Sequence, residues 1–216
     1  MARDRNDALR PQPYVWPSWI SKHIAKESKC WYAPWFKATH FYKKVLDPSR
    51  EAFLAEWTKT HDAMVNQRAA QMKADDWTVR VEDEGEFKLE GKAATLAGKP
   101  DIVGQREGYA LIIDAKSGKA RESDHWQVRT YMFAIPLCWL SGHKSLHGEV
   151  QYQDRAVAVE FEERHVERIA EAIRKIADVA HPPEAVPSSF ECGRCDLAAC
   201  KVRHVKPKPG DARRFF

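Results

Sequence analysis

The sequence predicts an α/β domain in which a central mixed β-sheet is flanked by helices. Three observations predict it. Apolar residues recur at helical spacing up to about Trp77 and at a spacing of two in the segments that follow. The strand-like segments are interrupted by one long helical stretch, and a second one follows the last of them. At 216 residues the chain is long enough for one well-cored domain and too short for two full ones.

The elements follow in order. "PSWISKHIAKESK" begins with Pro and Ser, a helix start, and "WFKATHFYKKV" reads as a short second helix. The longest helix is "DPSREAFLAEWTKTHDAMVNQRAAQMKADDW", with Pro suited to its first turn. Its apolar stripe comprises Phe53, Trp57, Met64, Val65 and Met72. "WTVRVEDE" and "EFKLEGKAATLAG" then read as a pair of strands turning at "DEGE". "PDIVGQ" and "YALIIDAK" form a second pair across "REG". The helix "SDHWQVRTYMFAIPLCWL" starts near Ser123, and Pro136 should kink it or end its regular part. "SLHGEVQYQ" and "AVAVEFE" are two more strands, and "ERHVERIAEAIRKIADVA" is an amphipathic helix. The Pro-rich "HPPEAVPSS" leads into a cysteine-rich end. Residues 1–16 read as a mobile polar lead-in, 17–203 as one domain, and 204–216 as a basic tail.

Composition excludes several classes. No stretch approaches the roughly 18 apolar residues of a membrane span, and the polar start "MARDRNDALRPQPY" is no secretory signal, so a cytoplasmic protein is expected. A net charge of +4 is too small to demand a polyanionic partner, although the Lys/Arg-rich end "KVRHVKPKPGDARRFF" suits one as well as it suits simple solubility. No "GxxxxGK[ST]" loop is present, so the chain carries no nucleotide-driven motor of that kind.

"ALIIDAKSGK" is the segment that points to chemistry. Strand alternation places Asp114 and Lys116 on one face and turns Ala115 to the other. A carboxylate and an ammonium in so apolar a strand are either a buried ion pair or a site. If "PDIVGQ" pairs with it, Asp101 lies near Asp114, and two close carboxylates share a proton or a cation. Oxygen donors of that kind suit Mg²⁺ or Mn²⁺. His61, on the stripe of the long helix, is either a hydrogen-bonded core residue or an added ligand and proton carrier. Gln127 and Tyr131 share a face of a largely apolar helix; they need partners there, in the sheet or along a nucleic-acid groove.

Cys192, Cys195 and Cys200 crowd together in "ECGRCDLAAC", Cys30 lies far upstream, and Cys138 reads as a small core residue. Four thiolates suit Zn²⁺ or an iron–sulfur cluster, and the thiol chemistry alone leaves both open.

The string "GKPDIVG…LIIDAKSGK…HWQVRTY", with the His of "TKTHDAM" upstream, resembles the PD-(D/E)xK nuclease superfamily and, within it, the RecB-like branch. The resemblance runs from about Pro17 to Arg203 and implies a restriction-endonuclease-like core. It implies a metal-dependent deoxyribonuclease in which His61, Asp101, Asp114 and the Ala115 carbonyl hold Mg²⁺ or Mn²⁺. Lys116 would then position or activate the attacking water, and Gln127 and Tyr131 would support the site and the DNA strand. The one-plus-three cysteines resemble those of the iron–sulfur nucleases, the CRISPR-associated family-four exonucleases among them. That implies a structural 4Fe–4S cluster on Cys30, Cys192, Cys195 and Cys200, tying the N-terminal helices to a C-terminal cap at about 190–203, with Zn²⁺ as the alternative. Implied substrates are single-stranded DNA ends, and implied partners are CRISPR integration proteins or a phage recombination system. The competing readings are a non-catalytic nucleic-acid-binding scaffold on this fold and a zinc- or cluster-binding regulator whose acids form only an ion pair.

Overall fold

A computed structural model describes residues 7–44, 48–197 and 200–204, without the side chains of 48–53. The expected basic tail beyond residue 204 lies outside the described residues.

Three helices come first: α1 (Pro17–Ile24), α2 (Tyr32–Thr39) and α3 (Pro48–Ala74). The strand-rich middle of the chain builds a five-stranded mixed sheet from β2 (Thr78–Val81), β5 (Ile102–Arg106), β6 (Tyr109–Lys116), β7 (Ser145–Tyr152) and β8 (Ala156–Val159), in that spatial order. Only β6 and β7 run parallel, because α4 (Glu122–Cys138) crosses between them. The hairpin β5–β6 turns at Glu107 and Gly108, both at positive φ, which is the backbone a tight two-residue turn requires.

The sheet is covered on both faces, which is why β6 reads as a nearly unbroken apolar run. Ile113 and Ala115 pack with Val65, Ala69 and Met72 of α3. Ala110 and Ile112 point the other way, into the larger core with Val128, Met132 and Ile135 of α4 and with Ile169 and Ile176 of α5 (Glu163–Ala177). Alternation along β6 thus turns Asp114 and Lys116 towards α4 and Ala115 towards α3, as the strand pattern requires. Gly148 lets α4 lie directly on β7: a Cβ there would stand 2.5 Å from Met132 Sδ and 2.7 Å from Val128 Cγ1.

Several sequence expectations need correction. β2 pairs with β5, not with the next strand, because "EDEG" forms a 3-10 turn over Glu82–Gly85 instead of a hairpin. "EFKLEGKAATLAG" is itself a hairpin, β3 (Phe87–Glu90) with β4 (Thr95–Gly98). Residues 7–16 are not a free lead-in. β1 (Tyr14–Val15) pairs parallel to β4, Val15 is fully buried, and Arg10 N donates to the Thr39 carbonyl. The short apolar run "PYVW" was masked by the polar residues before it. Pro136 sits inside α4, two residues before its end, so the helix runs past it.

Candidate metal centre

β5 and β6 bring the two acids together. Their register pairs Ile102 with Ile113, so the next step outward sets Asp101 across from Asp114. Asp101 precedes β5, and its carboxylate turns over the end of the sheet. There its Oδ2 accepts from Ala115 N at 2.6 Å and lies 3.2 Å from His61 Nε2. α3 supplies that imidazole from the opposite face, on the stripe that also buries Val65 and Met72. The Asp101 hydrogen bond raises the His61 pKa, against the opposing pull of burial.

Asp114 is 1% exposed. Its Oδ1 accepts from Gln127 Nε2 at 2.9 Å, and its Oδ2 forms an ion pair with Lys116 Nζ and has no other partner. Burial lifts the Asp114 carboxyl to about 7, with Lys116 pulling it down and the Asp101 charge pushing it further up. Burial works against the Lys116 ammonium, but the Asp114 carboxylate outweighs it and holds that pKa above the usual lysine value. Gln127 also donates to Tyr131 Oη at 2.9 Å, and Tyr131 donates to the Lys99 carbonyl at 3.2 Å. One hydrogen-bonded chain therefore links Asp114 through α4 to the backbone just before Asp101.

All of the expected pocket residues, His61, Asp101, Asp114, Ala115, Lys116, Gln127 and Tyr131, thus meet at the outer end of the β5–β6 pair. They do not form the tightest cluster of ligand atoms. Among the described residues that cluster is His61, Asp62 and Glu82, whose donor atoms all lie within 4.8 Å of one another. The reason is local: Lys116 and Gln127 hold the Asp114 oxygens, while Ala115 and His61 hold Asp101. Glu82 escaped the sequence reading because β2 was paired with the wrong strand, and Asp62 because it lies off the apolar stripe that singled out its neighbour His61. Pairing β2 to β5 matches Val81 with Ile102 and lets Glu82 N donate to the Asp101 carbonyl at 3.0 Å. The donor set, carboxylates with one imidazole and a buried carboxylate oxygen that meets only a cation, fits a hard divalent ion.

A second constellation lies where the two ends of the chain meet. Cys30, Cys192, Cys195 and Cys200 line one cavity of about 330 Å³, while Cys138 packs at the edge of the main core. No three of those sulfurs come within 4.8 Å of one another. Glu191, in the short helix α6 (Ser189–Cys192), ties the ends together: its carboxylate accepts from Ser28 Oγ at 2.7 Å, Lys29 N at 3.0 Å and Cys30 N at 3.2 Å. Arg203 donates to the carbonyls of Cys192 and Cys195, both at 2.9 Å.

Fold and pocket together define a class, a metal-dependent nuclease of restriction-endonuclease-like architecture. The chain belongs to the PD-(D/E)XK nuclease superfamily, whose pattern matches residues 21–200. No curated protein sequence matches it. Among solved structures, one described as "Crystal structure of SSO0001" aligns with a TM-score of 0.48 at 10% identity, covering 91% of this chain and 90% of that one. No helix among the described residues is long and apolar enough to cross a membrane.

Proposed function

We propose that the protein is a Mg²⁺- or Mn²⁺-dependent DNA exonuclease of the RecB-like iron–sulfur branch, acting on single-stranded ends. The observation that carries the reading is the junction at Asp101: one carboxylate oxygen joins His61 of α3 to the β6 backbone, beside the buried Asp114–Lys116 pair. Asp101, Asp114, His61 and the Ala115 carbonyl would hold the cation. When bound, such an ion screens the phosphate and lowers the pKa of a coordinated water towards neutrality.

The chain's own groups do the rest. Gln127 fixes the Asp114 carboxylate, and the Tyr131–Lys99 link fixes Gln127. The Lys116 side chain is 24% exposed against 2% for Asp114, so Lys116 borders the opening of the pocket, where a phosphate oxygen or an attacking water would sit. A cation there offsets the charge that builds on phosphorus-bound oxygens.

The same reading gives the cysteine cavity a 4Fe–4S cluster. Four thiols lining one cavity suit a tetrahedral Zn²⁺ or an iron–sulfur cluster, and the one-plus-three order of the cysteines along the chain is what favours the cluster. Its role is structural, closing a loop of about 160 residues between Cys30 and Cys192. Free thiols and no disulfide framework agree with a reducing cytoplasm. Within that branch the reading extends to the CRISPR-associated family-four proteins, with prespacer trimming and CRISPR integration proteins as role and partners.

The test is degradation of end-labelled single-stranded and duplex DNA with Mg²⁺ or Mn²⁺, comparing wild type with Asp101→Asn and Lys116→Ala. Cleavage by wild type alone, from an end and faster on single strands, is expected. Equal inertness of all three proteins, with DNA binding intact, would replace this reading with that of a non-catalytic scaffold.

A further inference from the structure

The α3 stripe places Trp57 one helical turn before His61, and a core position was expected for it. The structure exposes 40% of it instead. Its indole stacks on the His61 imidazole, with centroids 5.0 Å apart and planes 23° from parallel. Val65 and Met72 further along the same stripe are buried at 2% each, so the helix has left the sheet's cover by the time it reaches Trp57. A large apolar ring therefore stands partly in solvent, stacked on a residue that itself touches Asp101.

We infer that Trp57 is a stacking platform for one unpaired nucleobase next to the scissile phosphodiester, an inference that rests on the nuclease reading above. Every base has a π-face, so an exposed indole binds bases with little regard to sequence. It reaches one only when that base is outside a duplex stack, which makes the platform selective for single strands.

The test is binding of a fluorescein-labelled oligothymidylate carrying a single tetrahydrofuran abasic unit, moved one position at a time. Ca²⁺ is supplied to hold the strand without turnover, and wild type, Trp57→Phe and Trp57→Ala are compared. For wild type, one abasic position should weaken binding roughly 5- to 100-fold. Trp57→Ala should bind the intact strand as weakly as wild type binds that abasic one and be indifferent to the lesion, while Trp57→Phe keeps part of the effect. The inference is overturned if wild type binds no single strand or is insensitive to every abasic position. It is also overturned if Trp57→Ala weakens intact and abasic strands alike, since the indole would then serve only to hold His61. Cleavage is read separately with Mg²⁺ and Mn²⁺: base-dependent binding without cleavage defeats the nuclease reading and leaves the platform standing.

Discussion

Asp114→Asn in protein from which divalent ions are withheld should flatten the dependence of stability on pH. The folded carboxyl titrates at about 7 because it is buried, against an ordinary value of 3.8. Below the lower value both folded and unfolded states are protonated, and the group contributes nothing. As the pH rises between the two, the unfolded chain gives up a proton that the folded chain keeps, so stability falls; above about 7 the loss is complete. The difference corresponds to about 4 kcal/mol, taking about 1.4 kcal/mol per pH unit. For a domain of this size that is on the order of 10 °C in Tm. Asparagine preserves the bond from Gln127 but sets an N–H against Lys116 Nζ, so losing the ion pair lowers the variant's stability at every pH while its pH profile flattens. Thermal denaturation of wild type and variant from about pH 4 to about pH 8 should show a falling curve for wild type and a flatter one for the variant. Adding Mn²⁺ at neutral pH should stabilise wild type only. Parallel pH profiles would refute the reasoning, because Asp114 would then be no more costly to ionise folded than unfolded.

Other consequences can be measured on the same protein. Burial pushes the His23 imidazole down to about 4, so stability is complete above about 6.5 and falls through the acid range by up to about 3 kcal/mol; His23→Gln should flatten that loss in acid denaturation. Glu191→Gln weakens the charge-assisted bonds to Ser28, Lys29 and Cys30 and should cost about 2 kcal/mol in chemical denaturation. A Cβ on Gly98 would stand 2.9 Å from Phe87 Cε1 and 3.0 Å from Tyr131 Cε1. Gly98→Ala should therefore displace Tyr131, loosen Gln127, and lower kcat on DNA more than it lowers thermal stability. Anaerobically purified protein should be brown and carry iron with acid-labile sulfide, and colourless protein with stoichiometric zinc would reassign the cavity.

Much of this architecture was legible in the sequence because local patterns and tertiary packing agree. β6 alternates Ile112 and Asp114 against Ile113 and Ala115, and each set meets its own helix layer. The β5–β6 hairpin was legible for a different reason: its two-residue turn fixes register, and register alone brings Asp101 to Asp114. Longer-range pairing was not legible. "EDEG" has the composition of a hairpin turn, yet its residues form a single 3-10 turn that sends β2 to β5, and that pairing is what brings Glu82 to His61. β1 was hidden because two strand residues carry almost no periodicity, and the parallel partner that stabilises them lies some eighty residues away. Trp57 was misplaced because helical spacing tells which residues share a face, not where the covering sheet ends.

Calorimetric titration with Mn²⁺ is the most direct measurement of whether this pocket grips a hard cation. Wild type should bind at this site, more tightly as the pH rises, because Asp114 and His61 must both lose a proton. Asp101→Asn and Asp114→Asn should each abolish that binding while remaining folded. Unchanged manganese binding in both variants would place the cation elsewhere and contradict the account.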